Sequence, residues 1–233
     1  MISPATRQHY LQLMGIDIWL DRDRPTDNVS DELQGGEVAP GIFDATPEPV
    51  LWQVLRKQVI DCTQCGLHRG RQQTVFGTGD PEADLMVIGE APGAEEDRQG
   101  EPFVGRAGKL LNAMLMAVGL QRSQVYIANI LKCRPPNNRD PRPEEVAFCE
   151  AHLKKQIELI QPRLILCVGR IAAQNLLKVD TPIGQMRGQL YEYPDSSIPV
   201  VVTYHPAYLL RSPKEKRKVW QDLQLAMQVY QKP

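Results

Sequence analysis

Long apolar runs are absent from this sequence of 233 residues, and none approaches the roughly 20 apolar residues that a membrane-spanning helix needs. The opening segment mixes charged and apolar residues, so it lacks the basic start and apolar centre of a signal peptide. Internal repeats are also absent. We therefore expect a cytoplasmic protein without a membrane partner, in which the five cysteines do not form a disulfide framework.

Net charge is small as well, at −1, but the two signs are unevenly distributed. Residues 1–48 carry three arginines against nine acidic side chains, whereas residues 49–233 carry 24 basic and 19 acidic ones. Residues 22–48 are rich in Asp, Glu, Gly, Pro and Ser, a composition typical of a flexible linker. We predict two parts: a short amphipathic helix plus acidic linker over 1–48, which we expect to meet a protein partner, and one folded domain over 49–233.

Apolar runs alternate with amphipathic helix patterns in the second part. Strands are predicted at 84–89, 125–130, 163–169 and 199–204. Helices are predicted at 50–60, 107–119, 143–160, 170–178 and 213–230. Because such alternation is typical of a parallel sheet covered by helices on both faces, we expect an α/β fold, a three-layer αβα sandwich around a mostly parallel four-stranded sheet.

An unusually long connection joins the first predicted strand to the next helix, from Gly89 to Gly108. It contains five glycines, two prolines, five carboxylates and an isolated Phe103. Ordinary connections of this type have about two to six residues, and open α/β sheets bind ligands beyond the carboxyl ends of their strands. We interpret the segment as a ligand-binding loop, the alternative being a surface loop without chemistry.

Two further predicted strands end in polar side chains. Asn129 offers an amide donor and acceptor that suit a base edge, although an asparagine here could simply cap a loop. His205 follows the last strand and is fixed by the next proline. The ring of Phe103 could stack on a planar ligand or plug the loop onto the core. Together the three strand ends predict a planar, hydrogen-bonding ligand.

Four cysteines are candidate metal ligands: Cys62, Cys65, Cys133 and Cys149. The first two form a Cys-x2-Cys pair, which is half of a common metal site. Cys167 lies in an apolar run and is expected in the core. Four soft thiolates suit an iron–sulfur cluster or zinc, and spacing alone does not choose between them. A redox dithiol at Cys62 and Cys65 would leave the other pair unexplained.

In order along the chain, five segments resemble the type-4 uracil-DNA glycosylases. They are Gly89-Glu-Ala-Pro-Gly93, Glu96-Asp97, the stretch from Gly100 to Gly108, Asn129-Ile-Leu-Lys-Cys-Arg-Pro-Pro136 and His205-Pro-Ala-Tyr-Leu-Leu-Arg211. The resemblance covers roughly residues 50–230. The cysteine spacing x2, x67, x15 also resembles that family's [4Fe-4S] ligation, which makes zinc the second choice.

This resemblance implies an enzyme that flips uracil out of DNA and hydrolyses its N-glycosidic bond, acting as a monomer. The implied catalytic groups are His205 and a carboxylate, first Glu90 and second Glu96. Implied uracil contacts are Gly89, Ala91, Phe103 and Asn129. Implied DNA contacts are Arg106, Tyr208, Leu209, Leu210 and Arg211. The implied cluster would be structural, with Cys62, Cys65, Cys133 and Cys149 as ligands.

Two alternatives from other classes remain at this point. One is a non-catalytic DNA-binding or scaffold protein that retains the glycosylase fold, and the other is a zinc-binding hydrolase of small nucleosides. A branch related to the type-4 glycosylases crosslinks covalently to DNA through a histidine in an inserted loop. The matching segment of this chain, Lys132–Pro143, has neither the histidine nor the insertion, which disfavours that crosslinking chemistry.

Overall fold

A computed structural model describes residues 4–14, 16, 50–194 and 196–231, and one six-stranded sheet lies at the centre of this part of the chain. Its strands are β1 (Thr78–Gly79), β2 (Leu85–Gly89), β3 (Tyr126–Asn129), β4 (Leu164–Val168), β5 (Leu190–Glu192) and β6 (Pro199–Thr203). The helices of the described residues are α1 (Pro4–Leu13), α2 (Val50–Ile60), α3 (Ala94–Gln99), α4 (Arg106–Ala117), α5 (Pro143–Ile160), α6 (Arg170–Leu177), α7 (Ile183–Met186), α8 (Pro206–Arg211) and α9 (Lys216–Tyr230). The predicted linker at 22–48 lies outside the described residues.

The sheet order is β1-β3-β2-β4-β6-β5, and its four inner strands are parallel. These are the four strands that the sequence predicts, so the α/β class and the mostly parallel sheet are confirmed. The expected number of strands is too small, because β1 and β5 add antiparallel edges. Both edge strands are only two or three residues long and partly exposed, so they give no apolar run to detect.

Successive side chains of the inner strands point to opposite faces of the sheet, and each face packs in a separate hydrophobic core. One core joins Met86 and Ile165 to helices α2, α5 and α6. The other joins Val87 and Leu166 to helices α1, α4 and α9. Complete burial of each such side chain contributes about 1.5–3 kcal/mol. The three-layer αβα arrangement is therefore confirmed.

Helix α5 shows why the boundary predictions work where capping signals are strong. It begins with Pro143 in the first turn, and the Glu145 carboxylate accepts the backbone N–H of Arg142 at 2.9 Å. It ends at Ile160, and the next residue, Gln161, adopts the left-handed conformation that caps the helix. Both ends match the predicted range of 143–160.

The long connection after β2 is not a loop throughout, because it contains helix α3. Three acidic residues, Glu95, Glu96 and Asp97, occupy the first turn of α3, where the helix dipole favours negative charge. Gly100 closes the helix with φ of 75°. The sequence interpretation took these three carboxylates as part of an acidic loop, whereas in the structure they favour the start of helix α3.

Helix α1 lies where the sequence predicts a short amphipathic helix near the amino terminus. Leu11 is buried in the core beside α4, as is Met14 just beyond the helix. The division of the chain at residue 48 stays a prediction. None of the helices in the described ranges is long and apolar enough to cross a bilayer.

Candidate active site

The carboxyl ends of β2, β3 and β6 open into one cleft of about 410 Å³. Parallel pairing sets Gly89 at the end of β2 beside Asn129 at the end of β3, and His205 follows β6. The predicted residues that line the cleft are Glu90, Ala91, Glu96, Phe103, Asn129, His205, Tyr208 and Arg211. The three strand ends singled out in the sequence therefore meet at one site.

The ring of Phe103 and the amide of Asn129 form the floor of this cleft, and both lie close to Gly89. Phe103 stacks on the imidazole of His205 with centroids 5.5 Å apart and an interplanar angle of 30°. A Cβ at Gly89 would lie 2.5 Å from Asn129 Oδ1 and 2.7 Å from Phe103 Cζ, so only glycine fits there without displacement. Asn129 is 2% exposed, and its Oδ1 has no hydrogen-bond partner in the described residues. A buried acceptor of this kind is costly unless a ligand pairs with it.

His205 is held in one tautomer. Its Nδ1 accepts the backbone N–H of Ala207 at 3.1 Å, so in the neutral ring the proton sits on Nε2. Burial, aided by the positive charge of Arg211, lowers the pKa of His205 to about 4, and the charge of Glu96 opposes this shift. The side chain is therefore a neutral N–H donor at physiological pH.

Glu90 is the carboxylate with the most perturbed titration in the cleft. Burial, aided by the negative charge of Asp140, raises the pKa of Glu90 to about 7, whereas Arg170 lowers it. Arg170 and Asp140 pair at 3.1 Å. Glu90 therefore changes charge near neutral pH, which suits a group that handles a proton or a developing cation.

Glu96 has a different environment from Glu90. Its Oε2 accepts the N–H of Gly93 at 3.1 Å, and its Oε1 accepts the N–H groups of Val104 at 3.0 Å and Gly105 at 3.1 Å. Both carboxylate oxygens are thus bound to the backbone of the same segment. Glu96 lines the cleft but is engaged in holding the connection between β2 and α4.

The four candidate cysteine ligands line a second pocket, together with Arg71, Lys132 and His152. Lys132 donates its backbone N–H to the Sγ of Cys149 at 3.2 Å, and Arg71 donates to the Sγ of Cys133 at 3.2 Å. Burial raises the pKa of Cys149 to about 12 and also raises that of Cys133. Over the ranges that the structure describes, no three His, Cys, Asp or Glu side chains converge closely enough to hold a single metal ion.

Comparisons with known proteins agree with this geometry. A family model described as the uracil DNA glycosylase superfamily matches residues 76–224. The type-4 uracil-DNA glycosylase of Archaeoglobus fulgidus is 45% identical over 172 residues, which cover 71% of this chain and 86% of the relative. Those of Sulfurisphaera tokodaii and Thermotoga maritima are each 41% identical, covering 72% and 76% of this chain and 80% and 93% of the relatives. This chain belongs to the type-4 uracil-DNA glycosylase family.

At the rim of this glycosylase's cleft lies helix α8, which follows His205. Tyr208, Leu210 and Arg211 are exposed there. Leu209 is completely buried in the core, so Leu210 is the leucine of this pair that faces solvent. Arg106 is exposed at the start of α4 and does not line the cleft.

The sequence interpretation missed three polar residues that line the cleft of the glycosylase, Asn138, Arg139 and Asp140. Asn137 and Asn138 adopt left-handed φ angles of 55° and 53°, which asparagine tolerates better than most residues. This turn directs the segment after Cys133 back over the cleft. The Pro-Pro-Asn-Asn run was a turn signal, but nothing in its periodicity indicated where the turn would point.

Proposed function

We propose that this glycosylase flips uracil out of DNA and hydrolyses the bond between uracil N1 and the deoxyribose C1′, leaving an abasic site. The proposal rests on the meeting of three groups in one cleft: the Phe103 ring, the neutral His205 imidazole and Asn129 Oδ1, an acceptor without a partner in the described residues. Flipping a base costs a few kcal/mol and is easiest for a mispaired or single-stranded base. A cleft with a ring and a buried amide supplies the stacking and pairing that the base loses.

Recognition of uracil follows from the two groups on the cleft floor. The ring of Phe103 stacks on the flipped base, in place of the neighbouring bases of the duplex. Asn129 Oδ1 accepts the N3–H of uracil, and the amide nitrogen donates to O4. Cytosine presents an acceptor at N3 and a donor at the exocyclic nitrogen, so both contacts become mismatched. Gly89 and Ala91 let the backbone approach the edge of the base.

Departure of the base puts negative charge on uracil. When the C1′–N1 bond breaks, the electron pair moves to the base and collects on its oxygens. His205 Nε2–H, held by the Nδ1 contact with Ala207, donates toward O2 and stabilises that charge. Because the pKa of His205 is about 4, the ring stays neutral and acts as a donor.

The remaining sugar carries positive charge, as in other glycoside hydrolyses. Glu90, when ionised, stabilises this cation and orients the attacking water. The water oxygen bonds to C1′, and its proton passes to the Glu90 carboxylate. We assign this role to Glu90 before Glu96, since both oxygens of Glu96 already accept backbone N–H groups.

Duplex contact is proposed for the exposed side chains around the cleft. Leu210 enters the gap left by the base, while Leu209 supports α8 from the core. Arg211 and Tyr208 lie beside the opening, and Arg106 supplies a further cation for phosphate.

We propose that the thiol pocket holds a [4Fe-4S] cluster with Cys62, Cys65, Cys133 and Cys149 as ligands; zinc stays the second choice, because no three such side chains of the described residues converge on a single ion. Its donor set is four soft sulfurs, and N–H groups donate to two of them. The Nε2 of His152, which lines the pocket, has no partner in the described residues. When bound, the group would supply a structural crosslink between the chain after α2, the segment after β3 and helix α5. Iron and sulfide analysis with visible absorbance tests this, and a colourless, zinc-loaded protein would contradict it.

Several organisational assignments are also proposals. We propose that the chain acts as a cytoplasmic monomer, with residues 49–233 as the glycosylase domain and residues 1–48 as a segment that meets a protein partner, although its helix α1 packs against α4 of that domain. Analytical ultracentrifugation tests the monomer. Removal of residues 22–48, which keeps the contacts of α1 with α4, should leave excision of uracil intact if this acidic segment serves a partner.

The proposed activity is tested with an oligonucleotide that carries one uracil. We expect alkali-labile abasic product and free uracil, and none from matched strands with thymine or cytosine. No product at excess enzyme would overturn the proposal, and DNA binding retained in that case would favour the non-catalytic scaffold.

A further inference from the structure

Phe103 adopts a backbone conformation that residues with side chains rarely hold. Its φ is 54°, in the left-handed region, although the residue is 6% exposed and packs within the core beside α4. Such a conformation persists only where the surroundings over-determine it. The contacts that enforce it therefore determine where the ring lies.

On the carboxyl side of Phe103, the next two backbone N–H groups are fixed by one carboxylate. Glu96 Oε1 accepts from Val104 at 3.0 Å and from Gly105 at 3.1 Å. Its Oε2 accepts from Gly93 at 3.1 Å, which anchors the carboxylate to the start of α3. Charged acceptors form stronger hydrogen bonds to backbone N–H groups than neutral ones do.

The backbone carbonyls of Phe103 and of the residue before it are fixed by one guanidinium. Arg122 donates to the carbonyl oxygens of Pro102 and, at 3.4 Å, of Phe103 itself. Its own position is set by Asn112 Oδ1 at 3.3 Å and Glu101 Oε1 at 3.1 Å. Arg122 comes from the short turn before β3, so it ties the segment to a separate part of the fold.

We infer that Glu96 and Arg122 form a clasp that positions the Phe103 ring as a platform for the flipped base. The anion holds the N–H groups after Phe103 and the cation holds the carbonyls at and before it, so the strained residue is fixed from both sides. Both are positioning residues, because they act through Phe103. This inference rests on the proposed function and adds to it the source of the platform's geometry.

A double-mutant cycle separates positioning from general stabilisation. Arg122→Leu should lower the single-turnover rate of uracil excision about tenfold, the effect of losing one charged hydrogen-bond set. In a Phe103→Ala background, the same substitution should change the rate less than about twofold, because no platform remains to be misplaced. Arg122→Lys should recover part of the rate. Equal losses in both backgrounds would overturn the inference.

Matched controls lie on α3, the helix that carries Glu96. Arg98 and Glu95 form an exposed pair on α3, so Arg98→Leu and Glu95→Gln should retain the wild-type rate. Glu96→Gln keeps the size of the side chain but replaces one acceptor oxygen by a donor, so it should slow excision as Arg122→Leu does. Glu95→Gln as damaging as Glu96→Gln would contradict the clasp.

A readout independent of activity distinguishes the clasp from the proposed function. Amide hydrogen exchange at Val104 and Gly105 should accelerate at least about tenfold in Glu96→Gln, with β2 unchanged. If the wild-type enzyme releases no uracil, the proposed function is wrong, and the exchange rates at Val104 and Gly105 still test whether Glu96 holds this part of the backbone. If uracil is released but exchange at these two amides does not change, the clasp is wrong and the proposed function stands.

Discussion

Replacement of His205 by alanine tests how the leaving base is stabilised. Because Nδ1 is occupied by the Ala207 N–H, the side chain offers the reaction one donor, Nε2–H. Loss of one preorganised donor to a developing anion costs about 2.7–4 kcal/mol, or about 100- to 1000-fold in rate. The ground-state uracil carbonyl gains far less from this donor than the departing anion does. We therefore expect His205→Ala to reduce excision by that factor and DNA affinity by less than about threefold.

Rate and affinity are measured separately for this variant. Single-turnover excision at saturating enzyme reports the chemical step, and a gel shift with an abasic oligonucleotide reports affinity. His205→Asn is the matched variant, since its amide oxygen can accept the Ala207 N–H while its nitrogen donates into the cleft, and it should recover part of the rate. A loss of affinity as large as the loss of rate would refute the reasoning and make His205 a structural residue.

Three further outcomes are expected. Asn129→Asp should lower uracil excision at least about tenfold, because a charged acceptor replaces the amide donor to O4; an unchanged rate in the oligonucleotide assay would remove the base-reading role. The rate of excision should rise with pH through about 7 as Glu90 ionises, since burial raises the pKa of Glu90 to about 7, and Glu90→Gln should abolish this rise. A rise that persists in the variant belongs to another group. Lys132→Met should lower the free energy of unfolding, measured by urea denaturation, by about 1–3 kcal/mol, because the Asn129 carbonyl and Gln156 Oε1 lose the buried ammonium that binds them. Stability equal to wild type would mean that water or a new partner replaces the ammonium.

Elements with a strong periodic or capping signal were predictable from the sequence. The apolar run of β4 and the capped helix α5 lie at their expected positions, because buried strands and amphipathic helices produce apolar patterns along their whole length. The edge strands β1 and β5 leave no such marks, since their pairing depends on neighbours distant in sequence. Helix α3 was obscured because the acidic residues that start a short helix also suit a loop.

The candidate site was predictable at its strand ends and not at its rim. Gly89 and Asn129 end parallel strands, so topology alone brings them together. Their roles toward uracil came from the resemblance of motifs, since spacing by itself indicated only a planar ligand. Asp140 lies on an irregular segment whose path depends on the left-handed turn at Asn137 and Asn138, and residue type does not determine where such a turn directs the chain.

The cleft concentrates features that reduce the stability of the free protein. A left-handed residue such as Phe103 costs about 1–2 kcal/mol. A buried acceptor such as Asn129 Oδ1, which has no partner within the described part of the chain, costs about 1–3 kcal/mol. The pKa of Glu90 is raised from 4.5 to about 7, so ionising it destabilises the fold progressively as pH rises through that range, by about 3 kcal/mol when complete. Each cost is offset when a planar base stacks, pairs and leaves a cation behind. A scaffold that only binds DNA needs none of the three, so their coincidence in one cleft favours the enzyme.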